Sequence, residues 1–148
     1  MKRINEYKKL FNIDGEIDLK QLKTTYRNLI KEYHPDKFQD ESEKAIAEQK
    51  SLKIIDGYHF LISIAPETKA ANLEEYLITT SESGIADFKH KGLLLEITFL
   101  DGTTYEYFGV NKNVVQKMVN SDKIYRFAKR NIFNSYLYRK SKKDVEQV

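Results

Sequence analysis

Apolar residues recur at three- and four-residue intervals through the first half of the chain and at two-residue intervals in part of the second. The first spacing belongs to helices with one buried face, the second to half-buried strands. Ile4 to Phe11 reads as a short helix with Tyr7, Leu10 and Phe11 on one face. Asn12 to Asp18 is a loop containing Asp14-Gly15, and Asp18 suits an N-cap because its carboxylate accepts from free backbone N–H groups. In the helix that follows, Leu19, Leu22, Tyr26, Leu29, Ile30 and Tyr33 form one apolar stripe. Pro35 disfavours helical geometry at His34 and ends that helix. Asp40-Glu41-Ser42-Glu43 offers capping groups and acidic first-turn residues to a third helix, about Glu41 to Ile64. It runs through Ala45, Ile46, Leu52, Ile55, Tyr58, His59, Leu61 and Ile62. Gly57 within it costs about 1 kcal/mol against Ala, a cost that close helix packing would offset. Ala65-Pro66 stops the third helix, and Pro66 opens a short fourth one through Tyr76.

Leu77 to Gly84, rich in Thr and Ser, reads as a linker. Ile85 to Phe88 reads as a short strand and His90-Lys91-Gly92 as a turn. Leu93 to Leu100 is a strand with Leu93, Leu95, Ile97 and Phe99 on one face, and Thr103 to Phe108 returns. The loop between them decides where two tyrosines point. A two-residue loop at Asp101-Gly102 sets Tyr105 opposite Thr98 and Tyr107 opposite Glu96, on the polar face. A three-residue loop with Gly102 left-handed sets Tyr105 opposite Ile97 and Tyr107 opposite Leu95, on the apolar face. The second register is favoured because Tyr-x-Tyr is more apolar than Thr104 and Glu106. It makes the tyrosines structural; the first makes them a stacking platform for bases. Asn111 caps a helix through Asn120 with Val114, Val115 and Met118 inward. A further helix, about Lys123 to Asn134, turns Ile124, Phe127, Ala128 and Ile132 inward and Arg126, Lys129 and Arg130 outward. Tyr136-Leu137-Tyr138 and a basic run, Arg139 to Lys143, follow, with fraying expected at the end.

Charge adds an asymmetry to this picture. The formal net charge is +3, but Asn111 to Val148 carries about +7 and the rest about −4. A basic final third suits an anionic partner such as RNA or tRNA, or simply a solvated basic surface. There are no cysteines, which removes disulfides and thiolate chemistry and is compatible with the cytoplasm. No apolar run approaches the ~20 residues that span a bilayer, and the N-terminal residues have no apolar signal core.

The chemistry-bearing stretch is Tyr33-His34-Pro35-Asp36-Lys37. Lys20, Lys23, Arg27 and Lys31 form a basic face on the helix before it. Pro35 fixes its own backbone and so restricts His34 and Asp36, while Phe38 is placed to anchor the turn. No serine or cysteine stands near His34 and Asp36, and His59 and His90 are isolated, so neither a triad nor a metal-ligand spacing is present and no enzyme is expected. A His-Pro-Asp turn behind Tyr26-Arg27-Asn28-Leu29 resembles the J domain of the DnaJ co-chaperone family. Ile54-Ile55-Asp56-Gly57-Tyr58-His59-Phe60-Leu61 resembles that family's third-helix pattern. The resemblance implies a four-helix domain that binds a DnaK-type heat-shock chaperone and stimulates its ATPase. Docking then falls to Lys20, Lys23, Arg27 and Lys31, and triggering to His34, Pro35 and Asp36. The family's usual Gln-Lys-Arg sequence is replaced by Glu67-Thr68-Lys69-Ala70-Ala71, and neither a Gly/Phe-rich linker nor a Cys-x-x-Cys repeat is present.

The second half resembles the KTSC domain, named for its occurrence at the C-terminus of some lysyl-tRNA synthetases. The shared features are the hairpin, the central Tyr105-Glu106-Tyr107, Phe108, Val110, Ser121 and Ile132 with Tyr136-x-Tyr138. The family's Gly and Phe-Asn pair are not kept; Lys123 and Ala128-Lys129 stand in that neighbourhood. The expectation is therefore an α+β chain: a J domain over residues 1–78, then a small antiparallel sheet with helices and a basic tail over 79–148. Its function would be co-chaperone recruitment without a cofactor. The alternative is an RNA-binding protein using Tyr105, Tyr107, Arg126, Lys129 and Arg130, with the J-like half as a scaffold.

Overall fold

The computed structural model describes residues 2–141, which form two compact units, Lys2–Ala70 and one running from Ala71 onward. The expected fraying from Lys142 on lies outside the described residues. The fold is α+β: helices first, then a four-stranded antiparallel sheet with helices.

The first unit contains α1 (Lys2–Leu10), α2 (Leu19–Tyr33), a 3₁₀ turn (Pro35–Lys37), α3 (Glu41–Ile64) and most of α4 (Pro66–Ala71). Its caps are those the sequence suggests. Asp18 accepts from the N–H groups of Lys20 and Gln21, and Asp40 from that of Glu43. Helices α2 and α3 run antiparallel. Tyr26 stacks on Tyr58 with ring centroids 4.0 Å apart, and at the other end Ser51 Oγ donates to the Tyr33 carbonyl at 2.8 Å. Helix α3 buries Ala47, Ser51, Ile54, Gly57, Phe60, Leu61 and Ile64. Ile46 and Leu52 flank that stripe and stay exposed. Gly57 faces α1. A Cβ there would stand 2.8 Å from Tyr7 and 3.2 Å from Phe11, so glycine allows the close approach.

The second unit opens with α5 (Leu73–Glu82), whose second half, from Leu77, lies where a linker is expected from the Thr/Ser content. The fourth helix breaks at Asn72, and the limit expected at residue 78 falls inside α5. The reason is local satisfaction. Thr80 and Ser81 return their hydroxyls to the carbonyls of Tyr76 and Leu77, one turn back, while Tyr76, Thr79 and Thr80 are buried.

Strands β1 (Ile85–Lys91), β2 (Leu94–Phe99), β3 (Thr104–Phe108) and β4 (Leu137–Lys140) lie in sequence order. Helices α6 (Lys112–Asn120) and α7 (Ile124–Asn131) fall between β3 and β4. Strand β1 runs three residues past its expected end, and the turn is Gly92-Leu93, with Gly92 at φ +60. Leu93 accordingly leaves the buried face. The β2–β3 register is the three-residue-loop one, with Ile97 opposite Tyr105 and Leu95 opposite Tyr107. Gly102, at φ +91, supplies the left-handed residue.

Helix α7 ends at Asn131, short of the expected Asn134, and the stretch expected as a basic tail begins with a strand. Charge concealed it. Glu106 and Arg139 are cross-strand partners on β3 and β4, both side chains 8% exposed, with Arg139 Nε donating to Glu106 Oε2 at 2.7 Å. The core joins Leu95, Ile97, Phe99, Tyr105 and Tyr107 to Tyr76, Met118, Ala128, Ile132, Phe133 and Tyr138.

Candidate functional site

In the first unit, helix α2 stops where Pro35 requires it. His34 takes extended geometry (φ −63, ψ 129) and becomes the cap of the 3₁₀ turn. Its Nδ1 accepts from the Asp36 N–H at 3.2 Å. The Lys37 N–H donates to the His34 carbonyl at 3.0 Å and the Phe38 N–H to that of Pro35 at 3.2 Å. These bonds, with Ser51 holding the end of α2 to α3, fix the turn.

The side chains of His34 and Asp36 are 52% and 85% exposed. The Asp36 carboxylate lies 3.6 Å from His34 Nδ1, beyond hydrogen-bond range. It therefore faces outward with its acceptors available to an external cation. A shallow open groove brings the turn and the basic face together. Tyr26, Arg27, Ile30 and Lys31 of α2 line it with His34, Asp36 and Lys37. Lys20 and Lys23 do not line the groove; they continue the same exposed face one and two turns before Arg27. Pro35 is half-buried beneath the turn.

Tyr26, Ile30 and Lys37 join the groove beyond the residues that the basic face and the turn single out. The spacing places Tyr26 and Ile30 in the inward stripe, yet they are only half-buried and sit at the stripe's edge. Their four-residue spacing with His34 was the available signal.

In the second unit the tyrosine reading needs correction as a binding surface. Tyr105 is 3% and Tyr107 0% exposed, so neither ring can stack a base. They are core. Tyr76 donates to the Phe133 carbonyl at 2.6 Å, which leaves Tyr107 to donate to the Tyr76 oxygen at 2.9 Å. Burial pushes both phenols above their ordinary value and keeps them neutral, and Tyr138, stacked on Tyr76 at 3.7 Å, is raised by the same cause.

Arg126, Lys129 and Arg130 are exposed on α7 as expected. Arg126 and Arg130 line a shallow pocket with Lys123 and Phe127, and Lys129 falls outside it. Among the described residues no group of three His, Cys, Asp or Glu side chains could hold a metal ion, and no helix is long and apolar enough to cross a membrane.

Against known proteins, residues 81–136 match the KTSC domain family. Part of the chain is also similar to proteins named co-chaperone protein HscB homolog. It is 48% identical over 59 residues to that of Colwellia psychrerythraea, covering 37% of this chain and 34% of the relative. It is 53% identical over 47 residues to that of Psychromonas ingrahamii, covering 30% of this chain and 28% of the relative. The chain spans about a third of the length of the curated relatives it matches. The kinship with J-like co-chaperones, first suggested by the His-Pro-Asp turn, is thus supported by similarity over a limited stretch, and a KTSC domain is present at residues 81–136.

Proposed function

We propose that this chain is a cytoplasmic J-domain co-chaperone. It stimulates ATP hydrolysis by a DnaK-type heat-shock chaperone and brings that chaperone to whatever the KTSC domain engages. The observation that carries this reading is the groove in which a capped His-Pro-Asp turn meets the cationic side of α2.

Each part has a physical role. Lys20, Lys23, Arg27 and Lys31 present positive charge along one helix face, which steers an acidic surface into register and raises the association rate more than it tightens the complex. Tyr26 and Ile30 supply apolar contact at the groove floor. Asp36 offers a carboxylate to an arginine of the partner, a charge-assisted bond. His34 is a positioning residue: its ring nitrogen holds the Asp36 backbone and so aims that carboxylate. The bond-breaking chemistry belongs to the partner's nucleotide site, and this chain acts without catalysing a reaction itself.

Single-turnover ATP hydrolysis by a DnaK-type chaperone tests the reading. The intact chain is expected to accelerate hydrolysis. Asp36→Asn removes the charged acceptor, and loss of a charge-assisted bond should cut the stimulation about tenfold or more. His34→Gln should weaken it as well while circular dichroism remains that of the folded protein. Full stimulation by folded Asp36→Asn, or none by the intact chain, would sink the proposal.

A further inference from the structure

Helix α7 carries a row of cations that the chaperone reading does not use. Lys123, Arg126 and Arg130 stand at three- and four-residue spacing, on one helix face, and all are exposed. None has an ion-pair partner among the described residues. Asp122 lines the same pocket, one negative charge against three positive ones. Lys123 is the N-cap of α7 and makes no side-chain cap, so the first-turn N–H groups add positive potential at that end of the row. Phe127 lies within the row and is half-buried: its inner side packs on the core, and its outer edge lines the pocket.

We propose that this face of α7 binds single-stranded nucleic acid. In this assignment Lys123, Arg126 and Arg130 hold successive phosphates, and Phe127 offers the aromatic surface for an unstacked base. The row is about 10 Å long from residue 123 to residue 130, which exceeds one phosphate group and suits a ligand bearing several. An aromatic side chain among cations is the combination that single strands use, backbone to charge and base to ring. A membrane surface fits less well. A helix lying on lipid must offer an apolar face to the bilayer, and that face of α7, with Ile124, Phe127 and Ala128, is packed into the core. Tyr105 and Tyr107 take no part, since they are inside.

The test uses the full chain, without any chaperone, and a fluorescently labelled single-stranded RNA oligonucleotide of mixed sequence. Binding is followed by anisotropy across a salt series. The intact protein should bind at low salt, with affinity falling linearly on a log–log plot. Arg126→Gln with Arg130→Gln should flatten that slope by about 1.4, at about 0.7 per lost phosphate contact on a single strand. Lys129→Gln removes a charge from the same helix but outside the pocket, and should cost clearly less affinity and slope than either arginine substitution. Phe127→Leu keeps an apolar side chain against the core, and should weaken binding about fivefold or more without altering the slope. Absence of RNA binding at low salt overturns the proposal. So do equal losses from Lys129→Gln and from either arginine substitution alone, or capture by phosphatidylserine vesicles in place of RNA. An unchanged affinity in Phe127→Leu overturns the role given to the ring.

Discussion

Gly57 shows how a single absent atom decides packing. Alanine would gain about 1 kcal/mol of helix propensity at this position. Its Cβ, however, would press on the rings of Tyr7 and Phe11 at 2.8 and 3.2 Å, and Phe11 is buried with nowhere to retreat. Overpacking costs about 1–3 kcal/mol, so Gly57→Ala should lower stability by about 1 kcal/mol net, read from the urea midpoint. The Glu106–Arg139 pair is the counterpart in the second unit. Arg139→Met strands a buried carboxylate and should cost about 3–5 kcal/mol. Removing both charges, Glu106→Leu with Arg139→Met, should recover most of that loss; a double variant as unstable as the single one would show that the pair matters through something other than charge.

The buried phenols make stability fall at alkaline pH, and the sign follows from which state keeps the proton. Burial holds Tyr76 and Tyr107 protonated above the ordinary phenol value of about 10. Below that value both folded and unfolded chains are neutral, and the contribution is fully present. Above it the unfolded chain ionises first, so stability drops as pH rises. Urea midpoints should therefore be flat between about pH 7 and 9 and decline beyond about 10. Tyr107→Phe should show a decline shallower by about 1.4 kcal/mol per pH unit, although it starts lower for want of one hydrogen bond.

Helix α5 and strand β4 were the two elements whose character the sequence concealed, for related reasons. Thr79, Thr80 and Ser81 look like linker residues because hydroxyls favour turns. Here Thr80 and Ser81 bond within the helix, Thr79 donates to Asp101 at 3.1 Å, and Tyr76 plugs into the sheet. Amide hydrogen exchange should accordingly place α5 with β1–β4, its protection rising and falling with theirs; protection that follows α2 and α3 instead would contradict this. Strand β4 reads as polar because Arg139 and Lys140 dominate it, yet Arg139 is buried against Glu106, and Lys140 pairs with Glu75 at the surface. By contrast, the hairpin was legible. Asp101-Gly102 allows two registers, and the apolar alternation of β2 with the relative hydropathy of Tyr105 and Tyr107 favours the observed one; a one-residue slip would have turned both rings to water.

On the scale of the molecule, each unit has its own buried residues: Ile4, Phe11, Leu22, Ile54 and Phe60 in the first, the sheet-centred cluster in the second. Gly57→Ala should therefore shift protection of α1–α3 while leaving the sheet unchanged, and Arg139→Met should do the reverse. Residue-resolved hydrogen exchange distinguishes the two, and a common shift in both units would refute separate cores. The proposed functions divide the same way, a chaperone-facing groove on one unit and a strand-binding row on the other, so each assay can fail without the other.

The sequence by itself determined the helix caps, the stop at His34 and the basic face of α2, and it favoured the observed hairpin register over one alternative. Each depends on residues near one another in the chain, where backbone sterics and periodicity act directly. Tertiary structure alone decided that Tyr76 packs among the sheet tyrosines and that Arg139 is a strand residue rather than part of a tail. Those outcomes depend on partners many residues away. A charge or hydroxyl reads as exposed until the group that satisfies it is known.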